Sequence, residues 1–205
     1  MSLASEDVIR WMPAASVATV VLLAAVNVQR IKRKLGYSPF LVFRSGTPRE
    51  KLRTGFAIPG GAVIVATSFE PSLIGPVLPT SADPLLQAFG FALWIGAVVI
   101  VLASFRGLGD SWRIGVDPRT PPKLVTHGIY AFVRHPIYAG FLWWFVGLLL
   151  LLPSVFFLVV AVVGYVLVLA TALREERFLL ELYPEEYAVY ARHVGRFFPR
   201  LLRRS

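Results

Sequence analysis

The chain has 205 residues, of which 56% are hydrophobic and only 16% charged, whereas soluble domains carry roughly 25% charged residues. That balance excludes an ordinary water-soluble fold and places the chain in a membrane. The absence of cysteine excludes disulfides, thiolate metal ligands and a cysteine nucleophile. The net charge of +9 does not mark a nucleic-acid binder, because the basic residues flank apolar segments, where they hold helix ends against anionic headgroups.

Five apolar segments are expected, each measured against the roughly 20 residues that span a bilayer. The first runs from Met12 to Val28 and is followed by Arg30, Lys32, Arg33 and Lys34. A signal peptide carries its positive charge before the apolar core, so this order predicts a retained helix. The stretch from Lys32 to Arg53 holds Gly36, Pro39, Gly46 and Pro48 and reads as a cytosolic loop. The second segment, Thr54 to Pro79, is interrupted by Pro59-Gly60-Gly61 and again by Glu70-Pro71, which predicts a kinked span or a shorter helix with an interfacial piece. The third, Leu85 to Phe105, opens after Asp83-Pro84, a good helix start. A polar loop from Arg106 to Lys123 follows. The fourth segment covers Ile137 to Leu152, Pro153-Ser154 turns the chain, and the fifth covers Val155 to Leu173. So short a turn predicts an antiparallel hairpin.

These segments predict an all-α integral membrane protein with about five transmembrane helices, a C-terminal helical hairpin and a cytosolic amphipathic tail. Its length suits one membrane domain over residues 1–205, with three spans in 1–105 and the chemistry in 106–205. Charge bias orients it. With the N-terminus outside, all but Arg10 of the 21 basic residues fall on one side, as the positive-inside rule requires of the cytosolic face.

Two polar clusters then lie at the cytosolic membrane edge, where ionisable side chains are expensive to desolvate. The first is Gly128 to Gly140, with Tyr130, Arg134 and Tyr138 spaced by four. On an unbroken helix these three would share a face. Pro136 lacks an N–H and pushes His135 out of the α region, so backbone groups near Arg134 and His135 are expected to be free for a ligand. The second cluster is Arg174-Glu175-Glu176-Arg177. Adjacent carboxylates point to different sides of a helix, so one of them is expected to face the hairpin partner, as an amine or sulfonium ligand or a general base. Headgroup anchoring and a solvated helix end are the plainer readings of these charges. Beyond, Phe178 to Tyr190 alternates apolar and acidic residues and reads as an interfacial helix or lid. There is no GxGxxG, P-loop, GxSxG or HExxH, and three scattered histidines predict no metal site.

Leu124-Val125, Gly128-Ile129-Tyr130, Arg134-His135-Pro136, Tyr138 and Gly140 resemble the signature of the isoprenylcysteine carboxyl methyltransferase family. That wider group includes phospholipid N-methyltransferases and thiol S-methyltransferases. Glu175-Glu176, Pro184-Glu185-Glu186-Tyr187 and Gly195 through Pro199 follow in matching order, and Leu108 to Trp112 resembles an upstream Leu-Gly-x-x-Trp motif. The resemblance covers about residues 106–200. It implies an S-adenosylmethionine-dependent membrane methyltransferase acting on a lipid or lipophilic acceptor, with no metal and no nucleic acid. It also implies cofactor contacts at Lys123, Leu124, Val125, Tyr130, His135, Pro136, Tyr138 and Glu176, and catalytic roles for Arg134, Glu175 and Glu176. Arg174 and Tyr187 are expected on the substrate side. The chain departs from the family at Thr171, where relatives place a substrate-side Arg, and at Pro122, where they place a His. Beside this reading stand an NADPH-dependent sterol reductase, which has a related Arg-His-Pro-x-Tyr signature, and a membrane protein without catalysis.

Overall fold

A computed structural model describes residues 3–35, 60–76, 83–109 and 123–200. Six α-helices order these residues: α1 Leu3–Leu35, α2 Gly60–Phe69, α3 Pro84–Leu108, α4 Pro136–Leu151, α5 Val155–Leu182 and α6 Pro184–His193. Short 3-10 turns lie at Pro71–Ile74 and Gly128–Ala131. Val8–Lys34, Pro84–Leu108 and Val155–Leu182 are long and apolar enough to cross a membrane. Helices α2 and α4 are apolar but shorter. At 1.5 Å per residue, α4 reaches about 24 Å, less than the roughly 30 Å hydrocarbon core. The five expected segments thus appear as three full-length helices and two short ones.

The chain forms two compact units. One contains α1 and α2; the other contains α3, α4, α5 from Phe157, α6 and the C-terminal segment. In the first, α1 continues through the basic run, so Lys32, Arg33 and Lys34 form its last turn, where cations complement the helix dipole. The expected loop therefore begins later than Lys32, and its remainder lies outside the described residues. Arg10 donates to the carbonyls of Ser68 (3.0 Å) and Phe69 (3.3 Å), satisfying the end of α2. Helix α2 stops where Glu70-Pro71 was expected to break it. Glu70 accepts from the Ser72 N–H (3.3 Å) and hydroxyl (2.6 Å) and caps the following 3-10 turn.

In the second unit, α3 starts as its sequence predicts. Asp83 Oδ1 accepts from the N–H groups of Leu85 (2.9 Å) and Leu86 (3.4 Å), with Pro84 in the first turn. Helices α3 and α4 run antiparallel and touch through small residues. A Cβ on Gly90 would sit 3.0 Å from the Gly147 carbonyl, and one on Gly147 would sit 2.9 Å from the Gly90 carbonyl. One heptad on, a Cβ on Gly140 would meet the Ala97 carbonyl at 3.2 Å. In lipid, tails solvate apolar side chains as well as protein does, so close backbone approach supplies the packing energy.

The predicted hairpin of α4 and α5 is present. Val133, Ala139 and Leu142 pack with Val168, Ala172 and Phe197, and Tyr138, Phe141, Phe145 and Leu169 lie against them. Gly164 leaves room for the Phe145 ring, which a Cβ there would overlap. Helix α5 does not end at Leu173 but runs on to Leu182, so Glu175 and Glu176 sit inside a regular helix. Prolines open both α4 and α6. His135 (φ −125°, ψ 64°) precedes Pro136, and Tyr183 (φ −132°, ψ 67°) precedes Pro184; in each case the proline ring excludes the α region from its predecessor. The expected continuous amphipathic stretch Phe178 to Tyr190 is accordingly split between α5 and α6.

Candidate active site

Four pieces of the second unit meet at one end of the hairpin: the 3-10 turn with residues 132–135, the first turn of α4, α5 near residue 176, and α6 with the segment behind it. Val133 pairs with Gly195 in a parallel bridge. The Arg134 N–H donates to the Gly195 carbonyl (2.8 Å) and the His135 N–H to the Arg196 carbonyl (3.0 Å). The backbone groups expected to be free for a ligand are therefore occupied. Pro136 does remove them from the helix ladder, as the sequence implied, but the C-terminal segment takes them up. Gly195 is required for this stitch, because a Cβ on it would collide with the Phe198 carbonyl.

The side chains follow the same pattern. Arg134 donates through Nε (3.3 Å) and Nη2 (2.9 Å) to Glu176 Oε1, and through Nη1 to the carbonyls of Ala191 (2.8 Å) and Val194. Its side chain is only 7% exposed. Arg196 adds a two-pronged contact, Nε to Glu176 Oε1 at 2.8 Å and Nη2 to Oε2 at 2.7 Å. Glu176 is thus a buried carboxylate between two guanidinium groups, the charge-compensated arrangement that burial demands.

Glu175 has a different environment. It accepts the Tyr138 hydroxyl at 2.5 Å and lies 3.6 Å from His135 Nδ1, with 41% of its side chain exposed. Both carboxylates therefore reach the hairpin partner, contrary to the expectation that one would. The α4 end and the loop before it straddle α5, so residues about 100° apart on that helix both find partners. His135 links the two carboxylates, its Nε2 standing 3.2 Å from Glu176 Oε1. Its ring stacks on Tyr138 (centroids 5.6 Å, planes 19° apart) and leans on Phe197 (6.3 Å). Burial disfavours the imidazolium, but hydrogen bonds and charge from Glu175 and Glu176 outweigh it and raise the His135 pKa.

The tyrosines close the site from behind. Tyr130 is buried, and burial, then the charge of Glu175, holds its hydroxyl protonated well above the usual range. Tyr190 donates to the Tyr130 carbonyl at 2.6 Å, and burial pushes its pKa up to about 12. Tyr187 is 1% exposed. Its hydroxyl lies in the field of Glu176 and Arg134 but makes no well-formed hydrogen bond among the described residues.

Of the residues singled out in the sequence, Tyr130, Arg134, His135, Pro136, Tyr138, Glu175, Glu176 and Tyr187 thus lie in one cluster. Arg174 is half-buried beside it and acts electrostatically on Tyr138. Lys123 is exposed, and Leu124 and Val125 are half-buried in the irregular segment leading to the 3-10 turn. Thr171 donates to the Leu167 carbonyl of its own helix (2.8 Å). Pro122 and Asp110 to Trp112 lie outside the described residues. The sequence reading named Arg196 and Tyr190 only within the Gly195–Pro199 and Phe178–Tyr190 segments and gave neither a place in the site. Their signal was weak: one Arg among several in a basic tail, and one aromatic among many.

Comparison with known proteins shows what the chain as a whole is similar to. The phospholipid methyltransferase family model matches residues 85–186. Protein-S-isoprenylcysteine O-methyltransferase of Saccharomyces cerevisiae is 38% identical over 151 residues, covering 66% of this chain and 62% of that protein. A probable protein-S-isoprenylcysteine O-methyltransferase of Oryza sativa subsp. japonica is 30% identical over 124 residues, covering 54% of this chain and 63% of its own length. The chain therefore spans a little over three fifths of the length of these relatives. In fold, it is similar to the eukaryotic intramembrane Ras methyltransferase (isoprenylcysteine carboxyl methyltransferase), with a TM-score of 0.61, 19% identity, and coverage of 93% of this chain and 67% of that one. With apolar helices of membrane-spanning length, this chain is an integral membrane protein, and about half of it is similar to phospholipid methyltransferases and to isoprenylcysteine carboxyl methyltransferases.

Proposed function

We propose that the chain is a membrane methyltransferase that uses S-adenosylmethionine to methylate a lipid or lipophilic acceptor at the cytosolic membrane face. The observation that carries this reading is the unequal pair on α5. Glu176 is consumed by two guanidinium groups, whereas Glu175 is partly open and fixed from behind by Tyr138 and His135. A half-exposed carboxylate aligned by two neighbours suits a cationic ligand, and a sulfonium carrying an amino acid end is one. The relatives' names, which specify protein-S-isoprenylcysteine O-methylation, favour an acceptor of the prenyl-lipid kind.

When bound, S-adenosylmethionine supplies an electrophilic methyl group on its sulfonium. Glu175 would hold the cationic end, with Tyr138 fixing the carboxylate. The segment Lys123 to Val125, Tyr130 and Pro136 would supply walls. His135, Arg134 and Glu176 orient these groups from behind, and Arg174 stands on the acceptor side. Buried Tyr187 supports the Arg134–Glu176 pair instead of meeting the acceptor. A preorganised pocket of this kind lowers a transfer barrier chiefly by alignment, worth on the order of 7–11 kcal/mol. No base is needed where the acceptor is already a carboxylate. The bias of basic residues to one side supports a cytosolic site with the N-terminus outside.

Titration calorimetry with S-adenosylhomocysteine on detergent-purified protein tests the cofactor, and radiolabelled methyl transfer into extracts of the native membranes tests the acceptor. Saturable heat and a labelled lipid are expected. No heat at millimolar ligand together with no labelled product would overturn the reading.

A further inference from the structure

Arg196 compensates the charge of Glu176 and also spans both of its oxygens, Nε on Oε1 and Nη2 on Oε2. Arg134 and His135 approach Oε1, so they leave the carboxylate plane free to swing about that oxygen. A two-pronged guanidinium removes this freedom, because its N–H fork matches the carboxylate edge. The Arg196 carbonyl also receives the His135 N–H at 3.0 Å, and the next residue, Phe197, packs on the His135 ring. The same short segment therefore fixes the imidazole by its backbone, by its neighbour's ring and through Glu176. Arg196 itself is about one third exposed (34%), and its side-chain hydrogen bonds go to Glu176, not to Glu175 or Tyr138.

We infer that Arg196 is a positioning residue: by clamping the Glu176 carboxylate it sets the orientation and charge balance of His135, and through His135 the placement of Glu175. The charged and titratable groups facing His135 are Glu175 and Glu176 from α5, Tyr138 from α4, Arg134 on its own loop and Arg196 from the C-terminal segment. Removing the Arg196 charge leaves Glu176 less compensated, so the imidazolium is favoured further. At a separation of several ångströms and an effective dielectric near 20, the expected rise in the His135 titration midpoint is about one pH unit. The consequence for turnover rests on the methyltransferase reading. The titration does not, so failure of one is distinguishable from failure of the other.

The experiment is nitrogen-15 NMR of histidine-labelled full-length protein in detergent, with His127 and His193 as internal references, for wild type, Arg196→Gln and Arg196→Lys. The Gln variant is expected to raise the His135 midpoint by about one unit and lower turnover about tenfold. The Lys variant keeps the charge but loses the fork. It is expected to leave the midpoint near wild type and restore turnover only in part. If the Gln variant fails to fold, the Lys variant decides alone: turnover within twofold of wild type overturns the proposal. Where both fold, a Gln midpoint within about 0.2 unit of wild type overturns it, whatever happens to activity.

Discussion

Tyr138 and Glu175 stand 37 residues apart and meet across the α4–α5 hairpin through a 2.5 Å hydrogen bond. The next residue on α5, Glu176, turns instead into a nest of two arginines and a histidine. Two identical side chains, adjacent in sequence, are thereby given different surroundings: one is tied to the C-terminal segment and the other stays partly exposed.

Substitution should separate them. Glu176→Gln leaves Arg134 and Arg196 without a counter-charge, and breaking a buried pair costs about 3–5 kcal/mol. We expect a clear loss of thermal stability in detergent and faster proteolysis after residue 182. Glu175→Gln should keep the melting temperature within about 2 °C of wild type while abolishing methyl transfer. Equal thermal losses in both variants would refute the division.

Tyr138→Phe removes one hydroxyl and keeps the ring that stacks on His135. Glu175 then loses its hydrogen bond, a loss worth about 1.5–3 kcal/mol for a charged partner. The expected result is a roughly tenfold or greater drop in turnover with melting lowered by only a few degrees. Steady-state kinetics beside a thermal shift assay checks it.

Arg134→Ala is expected to act through the fold as well as the chemistry. The guanidinium ties Glu176 to the carbonyls of Ala191 and Val194, so its loss should release α6 and the segment behind it. Limited proteolysis should cut near residues 190–195 in the variant and not in wild type. A variant that is inactive yet as protease-resistant as wild type would place Arg134 in direct contact with the reaction instead.

Stability should depend on pH through His135. Its folded pKa is raised above the ordinary 6.5 because the two glutamates outweigh the cost of burial. The stabilisation is therefore complete below about 6.5 and disappears as pH rises through the folded value. Melting temperature should fall as pH rises above about 6.5, and His135→Gln should flatten that slope. A variant slope equal to that of wild type would assign the effect to other groups.

Gly147→Val tests the helix contact. A Cβ there sits 2.9 Å from the Gly90 carbonyl, a backbone atom that cannot rotate away, so α3 and α4 must separate. We expect little monodisperse protein on size-exclusion chromatography. Gly60→Ala, which meets nothing within 4 Å, should purify like wild type.

Several features were legible in the sequence because they rest on local physics. Apolar run length marked the helices, Asp83-Pro84 marked the start of α3, Pro153-Ser154 turned the hairpin, and Pro136 broke the chain beside Arg134 and His135. The order of Tyr130, Arg134, His135, Pro136, Tyr138, Glu175 and Glu176 named most of the cluster.

What the sequence left open depended on partners distant along the chain. Nothing local to Pro136 shows that Gly195 and Arg196 carbonyls occupy the freed N–H groups, since that pairing requires the parallel bridge between Val133 and Gly195. Nor does a Glu-Glu pair announce which member is neutralised. Composition and the lengths of the apolar runs determined a membrane protein with polar groups next to its apolar segments. Only the tertiary structure decided that Glu176 is enclosed by Arg134 and Arg196 while Glu175 stays open, because the fate of a charge is set by what is folded against it.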